Sequence, residues 1–254
     1  VKKIILSGLF LGGVLSTSAL VHLPAQFVVQ YVPLPNQLSL VGVEGTVWQG
    51  SAHQVTWNGQ NYGQLNWQLS PSQLLAAKLE AKVRFGRGSD IQLQGRGVVG
   101  YASSGPYAEN VIASMPVTSL LEVAPSLPVP LDLNGQVELS LRSYAYAAPF
   151  CQAAEGSLVW NTDVIGSPLA ELATGPIVAQ FNCQDSKVEV SAEQSSDQVV
   201  SSANVTLEPN RSYVATAWFK PQSDFPSELT QQLKWLPNQA DSQGKFPFTY
   251  RGRL

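Results

Sequence analysis

From Gln37 to Leu254 the chain is written in short runs in which apolar and polar residues alternate, punctuated at close intervals by Gly, Asn and Pro. Period-two alternation puts successive side chains on opposite faces of a strand, and such runs cannot sit as helices. The stretch HQVTWNGQNYGQLNWQLS reads as strand, turn, strand, with the turn at Asn58-Gly59. Asn-Gly between two β-prone runs is the strongest short-range hairpin signal. Further turns fall at Phe85-Gly-Arg-Gly88 and Glu208-Pro-Asn-Arg211. The expected fold is therefore mainly β, an antiparallel sheet with short helices inserted between strands.

Four stretches carry helix signals. Ser70 as N-cap and Pro71 at the first helical position open SPSQLLAAKL. Pro116 precedes Leu120, Leu121 and Val123, and the proline-rich 125–130 ends that helix. SPLAELA (167–173) is a short helical candidate. SDFPSELTQQLKWL carries Leu229, Leu233 and Leu236 near helical spacing.

Gly63-Gln-Leu-Asn-Trp67 and Gly156-Ser-Leu-Val-Trp160 repeat one pattern in a chain with only six Trp. Each is followed by a Pro, a short helix signal and a hairpin. Tyr107 and Pro116 in the first half face Tyr213 and Pro221 in the second, and each half closes on a Gly-led strand. This order predicts a duplicated sheet with units at 24–130 and 131–254. Trp48, Trp67, Trp160 and Trp218 are expected as core residues on the covered face of such a sheet.

The N-terminal stretch differs in kind. Lys2 and Lys3 precede a run, 4–23, with no Lys, Arg, Asp or Glu, and no Lys or Arg returns until Lys78. Twenty residues in a helix span roughly 30 Å, the thickness of a hydrocarbon core. The expectation is a transmembrane anchor with a cytoplasmic tip at 1–3 and the bulk of the chain exported. The rival is a cleaved signal peptide, with small residues at 16–19. Either one carries the rest across the membrane. Gly8 and Gly12 form a G-x-x-x-G step that lets membrane helices approach closely; simple lipid exposure is the alternative. Export places Cys151 and Cys183 where a disulfide is permitted, and the pair is expected to bridge two strands.

Candidate chemistry is sparse. His53 stands alone, with no nucleophile or carboxylate motif around it, and is expected as an exposed or hydrogen-bonded strand residue. The chain carries no G-x-S-x-G, no H-E-x-x-H and no Walker A sequence. A net charge of −3 gives no basic footprint for nucleic acid. With 13% charged residues, against roughly 25% in ordinary soluble domains, the surface is unusually neutral. No catalytic residue, cofactor or metal is expected.

The basic start, the single anchor, Gly45-Thr-Val-Trp-Gln-Gly50 and the run Cys151-x-x-x-Glu-Gly-Ser-Leu-Val-Trp160 together resemble the type II secretion system protein N (general secretion pathway protein N) family. Cys183 within Phe-Asn-Cys and the ending Gly244–Leu254 look similar to that family as well. The resemblance implies an accessory, single-pass component of the bacterial inner membrane. Its bulk would lie in the periplasm, its partners would be other inner-membrane secretion components and membrane lipid, and it would have no catalytic residues. The alternative from another class is a membrane-anchored lipid-binding or lipid-transfer half-pipe, which needs a continuous apolar face that stays uncovered.

Overall fold

Asn58 (φ 50°) and Gly59 (φ 84°) both take the left-handed conformation. That is the geometry of the hairpin turn whose twist matches its flanking strands. The computed structural model to which they belong describes residues 16, 18–31, 34–123 and 131–254. Gly8, Gly12, the tip 1–3 and most of the 4–23 run lie outside these residues. Among the described residues, no helix is long and apolar enough to cross a membrane.

The first half of the chain contributes β1 (Leu38–Gly45), β2 (Gln49–Trp57), β3 (Gln60–Asn61), β4 (Gln64–Leu69), β5 (Leu79–Arg87), β6 (Gln94–Ala102) and β7 (Gly105–Pro116). The second contributes β8 (Asp132–Leu133), β9 (Gln136–Ala145), β10 (Ala153–Asn161), β11 (Val164–Gly166), β12 (Glu171–Ala173), β13 (Ile177–Gln184), β14 (Lys187–Ser195), β15 (Val199–Leu207), β16 (Ser212–Pro221) and β17 (Phe246–Arg253). The helices are α1 (Ala25–Tyr31), α2 (Pro71–Leu74), α3 (Val117–Val123) and α4 (Ser227–Gln232), the last continued by a 3-10 turn, Leu233–Trp235.

The sheet is an antiparallel meander in the order β1-β2-β4-β5-β6-β7-β9-β10-β13-β14-β15-β16-β17, with β3 folded onto β2. It crosses the expected 130/131 boundary unbroken, because β7 pairs directly with β9. Twelve inter-strand gaps of about 4.8 Å carry it roughly 58 Å along its path. A second, three-stranded sheet, β12-β11-β8, sits at one end of the strands.

The strand–helix–strand passages β7–α3–β9 and β16–α4–β17 match one another, and in each the two strands are direct sheet neighbours. The Gly-x-x-x-Trp strands do not match in this way. Three strand steps separate β4 from β7 where four separate β10 from β16, so β4 and β10 run in opposite directions.

The helix at 71 stops after one turn, although Pro71 sits at its first position. Leu75, just beyond it, is 95% exposed. The candidate helix at 167–173 is instead a turn followed by β12, which pairs with β11. The Ser167 hydroxyl donates to the Ala170 carbonyl and accepts from the Ala170 N–H, a local turn that competes with helix.

Candidate interaction surface

Residues directly opposite one another in a sheet share a face, so the register sorts the whole molecule. One row crosses all thirteen strands: Val43, Ala52, Leu65, Phe85, Gly95, Ala113, Leu139, Leu158, Ala179, Ala192, Ala203, Ala217 and Phe248. No member is polar. A second row on the same face continues Leu141, Gly156, Phe181, Val190, Val205 and Ala215. A third continues Tyr144, Ala154, Cys183, Val188, Leu207 and Tyr213.

The opposite face is the inverse. The row Ser51, Asn66, Arg84, Arg96, Ile112, Ser140, Ser157, Gln180, Ser191, Asn204, Thr216 and Thr249 holds one apolar residue.

An apolar face usually packs on a second layer. Among the described residues, the helices pack chiefly on strands next to them in the chain: α1 on β1, α2 on β5, α3 on β7. The accessible surface is 16517 Å², against about 10,900 Å² expected for a compact monomer of 27.3 kDa. Among the described residues, Cys151 is the largest side chain that the fold encloses completely. Among the described residues the sheet is single-layered, and its apolar face is half-buried chiefly by its own neighbours.

This overturns the expectation that the tryptophans form a core. Trp48, Trp67, Trp160 and Trp218 are all partly exposed. Three of them tie down neighbouring segments through their indole N–H groups: Trp48 donates to the carbonyl of Leu20, in a helical stretch, at 2.8 Å, Trp67 to Val47 at 3.1 Å and Trp160 to Asn134 at 2.8 Å. Trp218 lies on the polar face under the Lys245 ammonium, 4.2 Å from the ring centroid.

Glycines let aromatic rings lie flat along the sheet. Gly50 pairs with Trp67, Gly95 with Phe85, Gly100 with Tyr107, Gly156 with Phe181 and Gly252 with Tyr213. A Cβ on Gly156 would stand 2.5 Å from the Phe181 ring and 2.6 Å from the Ser140 carbonyl oxygen. The Gly of each Gly-x-x-x-Trp stretch thus has its own task. Gly63 (φ 80°) opens a strand, and Gly156 makes room for a ring.

Cys151 and Cys183 form a disulfide. It ties the β9–β10 loop to β13, so it joins a loop to a strand rather than strand to strand. The Ser186 hydroxyl donates to the Cys151 carbonyl and accepts the Phe150 N–H, closing the same corner. His53 is exposed on β2 with Glu44 at 3.6 Å. Among the described residues, no group of three or more His, Cys, Asp or Glu could hold a metal ion.

The curvature of the sheet leaves hollows. On the polar face, one of about 820 Å³ lies over β7 to β15 and includes Arg142 and Glu155, which form an ion pair. Another, of about 1060 Å³, lies over β2 to β7 and includes Lys82, Arg84, Arg87 and Arg96. On the apolar face a smaller hollow, about 230 Å³, is lined by Ile177, Ala203, Phe219 and Phe248. The cationic hollow is a feature that motif reading passes over. Its signal was the alternation itself, which puts Lys82 and Arg84 on one face.

The sequence model of "Type II secretion system (T2SS), protein N" matches residues 36–249. The chain is 47% identical over 253 residues to the type II secretion system protein N of Vibrio cholerae, covering 100% of both chains. It is 33% identical over 255 residues to that of Aeromonas hydrophila, covering 100% of this chain and 99% of the other. With that of Klebsiella pneumoniae it shares 25% over 247 residues, 96% and 94% of the two chains. No solved structure matches. A family match over most of the chain, and full-length relatives of the same family, identify this open sheet as a member of the type II secretion system protein N family.

Proposed function

We propose that the protein is a non-catalytic interaction element of the type II secretion system. The 4–23 run anchors it as a single pass in the bacterial inner membrane, with residues 1–3 cytoplasmic and the sheet in the periplasm. The observation that carries this reading is the single-layered sheet itself. Among the described residues it leaves two unlike faces and two edge strands, β1 and β17, for neighbouring proteins. Edge strands are templates for an added strand, and a large apolar face is a site for a partner. The Cys151–Cys183 disulfide suits an oxidising compartment. The stretches 24–130 and 131–254 descend, on this reading, from one duplicated unit, a view supported by the matching β7–α3–β9 and β16–α4–β17 passages.

In-cell photo-crosslinking tests it. A photoreactive residue at Val41, exposed on the β1 edge, is expected to give adducts with other inner-membrane secretion components. If neither edge nor either face gives a protein adduct, the docking role is wrong.

One observation favours a second reading, binding of membrane lipid along a half-pipe. One apolar row runs from edge to edge, and among the described residues no helix is laid along it. Acyl chains could cover such a face without any pattern of polar partners. A chain extracted from membranes that carries no lipid in native mass spectrometry would sink this alternative.

A further inference from the structure

Four of the chain's fifteen Lys and Arg residues line the hollow on the polar face of β2 to β7. Arg84 and Arg96 are directly opposite one another on β5 and β6. Like charges in that position destabilise a sheet. Lys82 lies two residues from Arg84 on the same face. Arg87 arrives there through a bulge. Odd-numbered residues of β5 up to Phe85 point to the apolar face, but the register shifts so that Leu65 faces Phe85 while Gln64 faces Arg87. The extra residue is Gly86, with φ 107°, where a Cβ would collide with the Leu93 carbonyl oxygen. Only glycine fits, and the result is a fourth cation turned to the polar face. No acidic residue lines the hollow, and none of the four cations makes an ion pair among the described residues.

We infer that this hollow binds an extended acidic segment of a partner protein. The inference rests on the docking reading above and names the chemistry of one docked group. Carboxylates two residues apart on an extended chain are about 6.8 Å apart, the spacing of Lys82 and Arg84 along β5. The guanidinium groups offer forked donors to carboxylates. Beside the cations stand Gln64, Asn66 and Gln68 on β4 and Gln94 on β6, whose amides can pair with peptide groups. A phospholipid headgroup fits less well. The apolar rows that would hold its acyl chains lie on the other side of the sheet.

The full chain in detergent is titrated with a fluorescent peptide of alternating Glu and Ser, and with a control of alternating Lys and Ser. The acidic peptide is expected to bind, with affinity falling as salt rises, and the basic one is not. The double variant Arg84→Gln/Arg96→Gln should lose roughly tenfold or more in affinity. Its melting temperature should be unchanged or higher, since a like-charge pair is removed. Unchanged affinity overturns the site. So does a lowered melting temperature, which would make the cations part of the fold. Capture on phosphatidylglycerol vesicles that depends on Arg84 and Arg96, without peptide binding, overturns it in favour of a headgroup. Peptide binding without any secretion-protein crosslink sinks the docking role and leaves the anion site; the reverse outcome sinks the site alone.

Discussion

At the scale of single residues, the sheet is governed by contacts between neighbouring strands, because among the described residues no opposite layer packs against it. The Gly156–Phe181 pair shows this. Gly156→Val would drive two methyl groups into the ring and toward the Ser140 carbonyl. The expected cost is about 1–3 kcal/mol, read from the midpoint of denaturant unfolding. Tyr107 offers a titration. Its phenol donates to the Glu80 carboxylate at 2.9 Å. Burial, the Glu80 hydrogen bond and the charges of Glu80 and Glu109 push its pKa up to about 12. The fold thus favours the protonated phenol. That contribution is whole below the ordinary phenol value, about 10, and is lost as pH rises through about 12. Tyr107→Phe should flatten the loss of stability across that window, and one phenol should vanish from the late part of a UV-monitored titration. The disulfide closes a loop with a sequence separation of 32 residues. Cys151→Ser/Cys183→Ser is expected to cost about 3–4 kcal/mol in the same unfolding assay; unchanged stability would show that the loop is held by Ser186 alone.

At the scale of elements, the strands and hairpins were legible, and so were α3 after Pro116 and α4 within 223–236, whereas the helix at 71 is shorter than read and the one at 167–173 is absent. Alternation and turn residues place β2 and β3 around Asn58-Gly59 and β15 and β16 around Glu208–Arg211. The run at 167–173 misleads because Ala and Leu favour helix, while its short length lets β11 capture Glu171–Ala173 as a strand. The helix at 71 shrinks to one turn because it meets chiefly β5, the strand next to it in the chain. Helices of that length owe their stability to tertiary contact. Leu75→Ser, at 95% exposure, should therefore change stability by no more than about 0.5 kcal/mol. A larger loss on thermal unfolding would mean that the turn is braced in a way the contacts do not suggest. Bulges were also beyond reach. Gly86 looks like part of a turn, and only its pairing shows that it flips Arg87. The disulfide pairing was legible from the count of two Cys, but the loop that carries Cys151 was not.

At the scale of the whole molecule, the composition is explained by the open sheet. A compact domain of this length would bury its large aromatics. Here each face must stay soluble or find a cover, so charge is low, amides and hydroxyls fill one face, and Ala, Val, Leu and Phe fill the other. The expectation of a covered sheet failed because alternation reports two unlike faces and says nothing of whether a second layer exists. The direct test is cysteine accessibility at Leu158, 38% exposed in the middle of the unbroken apolar row. Leu158→Cys is treated with a water-soluble maleimide in the purified chain, in cells with the complete secretion system, and in cells lacking its other inner-membrane components. An open apolar face that a partner covers gives rapid labelling in the purified chain and in the depleted cells, and protection only when the complete system is present. Labelling at the same rate in all three would show that nothing docks on the face, and no labelling in the purified chain would show that the sheet is not open.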